Sequence, residues 1–491
     1  MRETHTAIVF FVGDRAYKVK KPVDLSFLDY TTVAARRVAC EREVALNRRF
    51  SPDVYLGLGE IRSPHAEAPE PLVVMRRMPP DRRLSRLVRE GRAVDDALRA
   101  VARQLAARHA DAPRSREVDE QGTRDALSSR WEASFAQVRA LMDDGFAPDG
   151  AAEIERLVRR YLAGRKHLFD TRIEQGRVVD GHGDLMAEDI FCLDDGPRVL
   201  DCLEFDDHLR YIDGLDDAAF LAMDLEQLGA PEAAAYFLAQ YSDYSGDPAP
   251  PSLWHHYVAY RAFVRAKVSL IQARQGASGA EADSRRLVTT ALRHLRTSAI
   301  SLTLVGGLPG SGKTTLSGAL ADRLGVTLLS SDRVRKELAG IPADESAAAG
   351  YGEGLYAPEW TAKTYAALLD RASALLSTGE SVVLDATWSD ARQREAALRM
   401  AERVSADLVA LHCRVPGDVA AARLDTRAPG ASDADLAVAT AMAANEPPWA
   451  EAVTIDTSGS LDSAVVQALS AVRPWGTGQA PVFRRSYMEP D

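Results

Sequence analysis

The octapeptide Gly307-Leu308-Pro309-Gly310-Ser311-Gly312-Lys313-Thr314 constrains the fold of this chain more than any other stretch. It satisfies the phosphate-loop pattern G-x-x-x-x-G-K-[ST] in full, follows the apolar run Leu302 to Val305 and opens a helical pattern. Glycines let main-chain N–H groups wrap phosphates, Lys313 neutralises charge on the transferred group, and the Thr314 hydroxyl is suited to ligate magnesium, with Thr315 beside it. Apolar runs at Val326 to Leu329, Val382 to Leu384, Leu408 to Cys413 and Ala452 to Ile455 alternate with helical patterns, which predicts an α/β unit, a parallel sheet flanked by helices, over about 298–473.

At 491 residues the chain exceeds the roughly 250–300 at which a single core stops growing, so a second unit is expected upstream. A net charge of -11 argues against nucleic-acid binding through phosphates. The run Arg76, Arg77, Arg82, Arg83, Arg86, Arg89 and Arg92 is a local exception and reads as a solvated face. Cys40, Cys192, Cys202 and Cys413 lack metal-site or disulfide spacing and suit a reducing compartment. The apolar run Ala7 to Val12 is too short for a signal peptide or membrane span, so a cytoplasmic protein without membrane contact is expected.

Downstream of the phosphate loop, Ser381-Val382-Val383-Leu384-Asp385 ends a buried strand on a carboxylate, which places Asp385 in the magnesium shell. Ala386 follows where hydrolytic motors commonly carry a water-activating glutamate, which favours transfer over hydrolysis. After the second strand, Asp332 and Arg335 share a face if a helix starts there: Asp332 would take the acceptor proton and Arg335 hold an anionic group, or the pair is a cap with a surface arginine. Arg423 and Arg427, four apart before the loop Ala428 to Ser432, suit a lid over the phosphate as well as a solvated face. Together these residues resemble the small P-loop kinases related to zeta toxins, gluconate kinase, chloramphenicol phosphotransferase and polynucleotide kinase. The resemblance covers about 298–470 and implies that Asp332 and Arg335 serve the acceptor, Asp332 as base.

In the first half, a strand hairpin over 7–20 precedes a helix from about Thr32 to Phe50 and a strand at Leu72 to Met75. A mainly helical region follows from about Asp95, interrupted by strands Ile190 to Leu193 and Arg198 to Leu200 around Asp194-Asp195-Gly196-Pro197. Without a flexible linker before Leu302, the two halves are expected to dock. His182-Gly183-Asp184-Leu185 supplies an acceptor-side carboxylate, Asp184; Asp189 comes five residues on, and the hairpin delivers Asp201, both as metal ligands. Lys18 would reach nucleotide phosphates and pair with Glu43, with Glu41 less favoured and Lys20 competing on the same face of the strand.

Ala16-Tyr17-Lys18-Val19-Lys20-Lys21-Pro22, His182-Gly183-Asp184-Leu185, Asp201-Cys202-Leu203-Glu204-Phe205 and Asp217-Ala218-Ala219-Phe220-Leu221 resemble the aminoglycoside phosphotransferase-like kinases. The whole chain resembles bacterial fusions of such a domain with a zeta-toxin-like P-loop domain. The resemblance implies a bilobal α+β kinase-like domain, 1–80 and 81–297, then the P-loop NTPase domain, 298–473, and a tail, 474–491. Two departures stand out: Asp189 replaces a common asparagine and Met186 a common histidine. The hairpin also lies so near residue 1 that either the start lies upstream or the nucleotide site is abbreviated. The expectation is a bifunctional kinase using ATP and Mg2+ on small hydroxylated acceptors. A sensor whose first domain is a pseudokinase is the alternative, and a polynucleotide 5'-kinase a further one.

Overall fold

The computed structural model describes residues 1–3, 6–25, 28–62, 68–142, 150–342, 345, 353–426, 436–444 and 447–473. The amino-terminal sheet is antiparallel, ordered Arg2–Glu3, Ala7–Val12, Arg15–Lys20, Glu70–Arg76, Tyr55–Ile61. The hairpin register pairs Phe11 with Ala16 and Val9 with Lys18, so Ala16, Lys18 and Lys20 share one face by the two-residue period of a strand. The helix Val33–Asn47 lies on that face: Cys40 and Val44 pack with Val54, Tyr55 and Val73. Thr32 caps this helix by accepting from the Ala35 N–H at 3.1 Å.

Helices dominate from Asp95 to Ser298, broken by two small antiparallel sheets. The strands Val178–Asp180 and Tyr211–Asp213 form one, and Ile190–Leu193 with Gly196–Val199 the other. The second hairpin is tighter than the expected four-residue connection. Only Asp194 and Asp195 form the turn, and Gly196 and Pro197 already pair with Leu193 and Cys192, because Gly196 takes φ +120° at no side-chain cost.

The carboxy-terminal sheet is α/β: five parallel strands flanked by helices, ordered Thr327–Ser330, Val382–Asp385, Ser301–Gly306, Asp407–Arg414, Val453–Asp456. The chain adds strands first on one side of Ser301–Gly306 and then on the other. The crevice where a parallel sheet binds ligands therefore lies at the carboxyl end of that strand, where the phosphate loop begins.

The two halves share a core. Leu302, Leu304, Leu384 and Trp388 belong to the same buried cluster as Phe169, Leu253 and Tyr257 of the helical region. Polar contacts also cross: Arg160 pairs with Asp407 at 2.7 Å, Ser252 donates to the Gly379 carbonyl at 2.7 Å, and buried Arg165 donates to the Val404 carbonyl at 2.9 Å. Burial pushes the Arg165 guanidinium down to about 10, which leaves it charged at neutral pH. Gly164 permits this approach, since a Cβ there would lie 2.0 Å from the Val404 carbonyl oxygen. Gly164→Ala is therefore expected to cost about 1–3 kcal/mol by forcing the two backbones apart; an unchanged melting temperature would refute this.

The cysteines are unpaired and buried or half-buried. The basic run is largely compensated: Arg76 pairs with Asp53, Arg82 with Asp194, Arg83 with Glu188 and Arg86 with Glu90. Among the described residues no helix is long and apolar enough to cross a membrane.

Candidate nucleotide and acceptor sites

Lys313 is the first residue of the helix Lys313–Leu324 and follows Gly312 in left-handed geometry, φ +83°. Main-chain N–H groups at such a helix start lack helical partners and point out of the strand end, where they favour an anion. The turn needs glycine at Gly307: φ is +143°, and a Cβ would come within 2.6 Å of Ser311 Oγ and 2.8 Å of the Cys413 carbonyl oxygen. Leu308, Pro309 and Gly310 complete the cradle, and the buried Ser311 hydroxyl has no hydrogen-bond partner in it. Thr457 braces the loop by donating to the Ser311 carbonyl at 2.6 Å. Sequence reading missed Thr457, which lies far from the motif.

Asp385 ends the neighbouring strand opposite Val305 and is 3% exposed, while Thr314 and Thr315 are exposed on the first helical turn. Lys313 and Asp385 both act electrostatically on the buried Cys413 thiol, which burial pushes up to about 12. A carboxylate and a hydroxyl beside an anion cradle are hard oxygen donors of the kind magnesium takes. Arg423 donates to the Thr457 carbonyl at 2.7 Å, and its guanidinium lies 3.3 Å from where a Gly312 Cβ would be. That places Arg423 on the loop; Arg427 lies outside the described residues.

Asp332 and Arg335 are brought together on the helix Ser331–Leu338, paired at 2.6 Å. Arg335 is 7% exposed and stacks over Tyr356 at 4.5 Å. Tyr365 adds what the sequence did not signal. Its hydroxyl lies 3.2 Å from Thr387 Oγ1 and accepts the Trp388 N–H at 3.2 Å, and both Asp332 and Arg335 act on it electrostatically. Trp388 holds φ +54°, a conformation a bulky residue keeps only when its surroundings enforce it.

In the first half, Lys18 pairs with Glu43 at 2.9 Å and with Asp201 at 2.6 Å. Lys20 does not displace Lys18. It takes the other Glu43 oxygen at 2.6 Å and also pairs with Glu204, which Tyr30 supports through a 3.2 Å hydrogen bond. Burial would push the fully buried Glu43 carboxyl up, and the two ammonium groups reverse this and hold it below the usual range. Asp201 adopts φ +66° and is held low by Lys18. Its loop is tied to the helix bearing Glu43, because the Cys202 N–H donates to Asn47 Oδ1 at 2.9 Å.

Asp184 follows Gly183, whose φ of +84° turns the loop. Asp217, from one of the quoted motifs but given no role, fixes that turn: its buried carboxylate accepts the His182 N–H at 2.7 Å and the Gly183 N–H at 2.9 Å. His109 Nε2 lies 3.1 Å from the same carboxylate and Nδ1 2.8 Å from the Tyr241 hydroxyl. Desolvation pushes the Asp184 carboxyl up to about 6, with Arg265 opposing and Asp201 adding to the shift. Burial also pushes Asp189 well above the usual range, and Asp201 and Asp184 add to it. Asp189 in place of an amide thus adds a third carboxyl beside Asp184 and Asp201, and the burial and like charges that raise it favour its neutral form. Among the described residues no group of three or more His, Cys, Asp or Glu side chains is placed to hold a metal by itself.

Residues 302–448 match the family model described as AAA domain. Among solved structures, the second half is similar to an unliganded sugar kinase from Janibacter sp. HTCC2649, at 18% identity over 35% of this chain and 94% of that one, TM-score 0.27. It is also similar to a gluconokinase from Sinorhizobium meliloti 1021, at 18% identity over 36% and 93%, TM-score 0.27; similarity at this level carries no argument. Far stronger is the similarity to the uncharacterized proteins Rv2004c of Mycobacterium tuberculosis (strain ATCC 25618 / H37Rv) and Mb2027c of Mycobacterium bovis, each 43% identical over 468 residues, 95% of this chain and 94% of theirs. At that identity over nearly the whole of both chains, this chain belongs to the same family as Rv2004c and Mb2027c.

Proposed function

We propose that this chain is a bifunctional ATP-dependent phosphotransferase acting on hydroxyl groups of small molecules, with residues 1–80 and 81–297 as the two lobes of one kinase-like domain and 298–473 as a second. The observation that carries the reading is the phosphate cradle from Gly307 to Thr314 at the carboxyl end of the central strand, with Asp385 on the next strand. Lys313 and the loop N–H groups bind and orient the phosphates, and Arg423 adds positive charge beside them. Thr314 and Asp385 would hold magnesium, which when bound neutralises phosphate charge. Asp332 accepts the acceptor proton, and Arg335 positions it and the acceptor.

In the first domain Lys18, oriented by Glu43, binds phosphate, and Asp184 accepts the acceptor proton. Its carboxyl, up to about 6, stays ionised at neutral pH and is more basic than an exposed aspartate. Asp189 and Asp201 would hold the cation. Cytoplasmic location and small-molecule partners belong to the same proposal.

A second reading, a nucleotide sensor with an inactive first domain, is favoured by the 2.6 Å Lys18–Asp201 pair, which ties phosphate-side and metal-side groups to each other. Screening the full chain with labelled ATP against sugars and aminoglycosides separates the two when repeated with Lys313→Ala and Asp184→Asn. Transfer that survives Lys313→Ala and is lost in Asp184→Asn establishes the first site as a kinase. The sensor reading expects no such activity, and absence of transfer from both sites sinks the proposal.

A further inference from the structure

Behind the loop that carries Asp184, a cavity of about 100 Å³ is lined by His109, Arg114, Arg172, Arg177, Tyr241 and Asp247 among others. Its charge is unusual for so acidic a chain. Arg172 is neutralised, bonded to both Asp213 and Asp247. Arg114 donates only to the carbonyls of Ala112 and His109, at 2.8 and 3.0 Å, and Arg177 only to those of Ser245 and Gly246, at 2.9 Å each, though Arg177 also acts electrostatically on the lining Asp247 carboxylate. Among the described residues neither has a carboxylate at ion-pair distance, and the buried Arg177 Nε has no hydrogen-bond partner.

Three guanidinium groups, Arg114, Arg172 and Arg177, face two carboxylates, Asp213 and Asp247, and that excess positive charge favours an anion, while planar forks of N–H donors match the oxygens of phosphate or carboxylate. The cavity is large enough for a tetrahedral oxyanion. The wall also leads to the catalytic loop. Tyr241 is hydrogen-bonded to His109, His109 to Asp217, and Asp217 holds the N–H groups of His182 and Gly183.

We infer that this cavity is an oxyanion-binding site, taking phosphate or the phosphate end of a small monoester between Arg114 and Arg177, and that its occupancy stiffens the His182–Asp184 loop through Tyr241, His109 and Asp217. The site itself is independent of the kinase reading, because its test measures binding.

The test uses the full chain with Lys313→Ala, which weakens phosphate binding at the P-loop. Inorganic phosphate is titrated calorimetrically against sodium chloride of equal ionic strength, and methyl phosphate in parallel. We expect binding, weakened at least about tenfold by Arg177→Gln and by Arg114→Gln, since each removes a charge-assisted hydrogen bond. Amide exchange at His182 and Gly183 should slow on phosphate addition in the parent and not in the variants. Methyl phosphate binding as well as phosphate would make a monoester the ligand, and weaker binding would make it the free ion. Arg114 is exposed, so Arg114→Gln remains informative should Arg177→Gln fail to fold. Absence of phosphate binding, equal affinity in the Arg114→Gln chain, or unaltered exchange at His182 and Gly183 would overturn the proposal.

Discussion

Lys313→Ala is expected to slow phosphate transfer by the second domain by more than about a hundredfold, the scale seen when one preorganised charge-stabilising group is removed from an active site. Lys313 starts its helix at the mouth of the cradle and is only half-buried, so alanine, a better helix former, leaves no cavity and removes no core contact. The effect should therefore appear in turnover and ATP binding and not in thermal stability. That split separates a phosphate-binding lysine from a structural one. Single-turnover transfer of labelled phosphate together with a melting curve reads both, and undiminished transfer in the variant would sink the assignment of this loop.

Glu43→Ala is expected to act in the opposite way, through stability. Glu43 is fully buried and answers two ammonium groups, Lys18 and Lys20, whose side chains are 12% and 1% exposed. Removing the shared carboxylate strands buried charge, which typically costs about 3–5 kcal/mol. Because the folded carboxyl is held below its ordinary value of 4.5, its contribution is fully present at neutral pH and is lost as pH falls from the ordinary carboxylate range through the lowered folded value. Adding Lys20→Met to Glu43→Ala should recover part of the loss, since a buried cation without a partner is then replaced by an apolar chain of similar length. Equal melting temperatures for wild type and Glu43→Ala at pH 7 would show that Asp201 and Glu204 alone compensate the lysines.

Much of the candidate chemistry was legible because it sits in contiguous motifs. The octapeptide 307–314 needs only a strand before it and a helix after it, and the structure supplies both. Lys18 and Glu43 were harder: two lysines two residues apart on one strand face cannot be ranked from sequence, and the structure gives each one oxygen of the same carboxylate. Thr457 and Tyr365 carried no signal, because each reaches its site from a distant element, and Trp388 carried none, because no local pattern encodes its contact with Tyr365.

From the sequence alone came what depends on short-range geometry: the strand-loop-helix cradle, the alternation that produces a parallel sheet, the spacing of Asp184 and Asp189, and the shared helix face of Asp332 and Arg335. Only the tertiary structure decided what depends on long-range burial. It united the two halves in one core through Leu302, Leu384 and Trp388, hung the Asp184 loop on Asp217 and His109, and gathered Arg114, Arg172 and Arg177 around a common cavity. The reason is physical: a side chain's charge state and partners follow from what the folded chain packs against it, and those neighbours are set by the fold and not by proximity along the sequence.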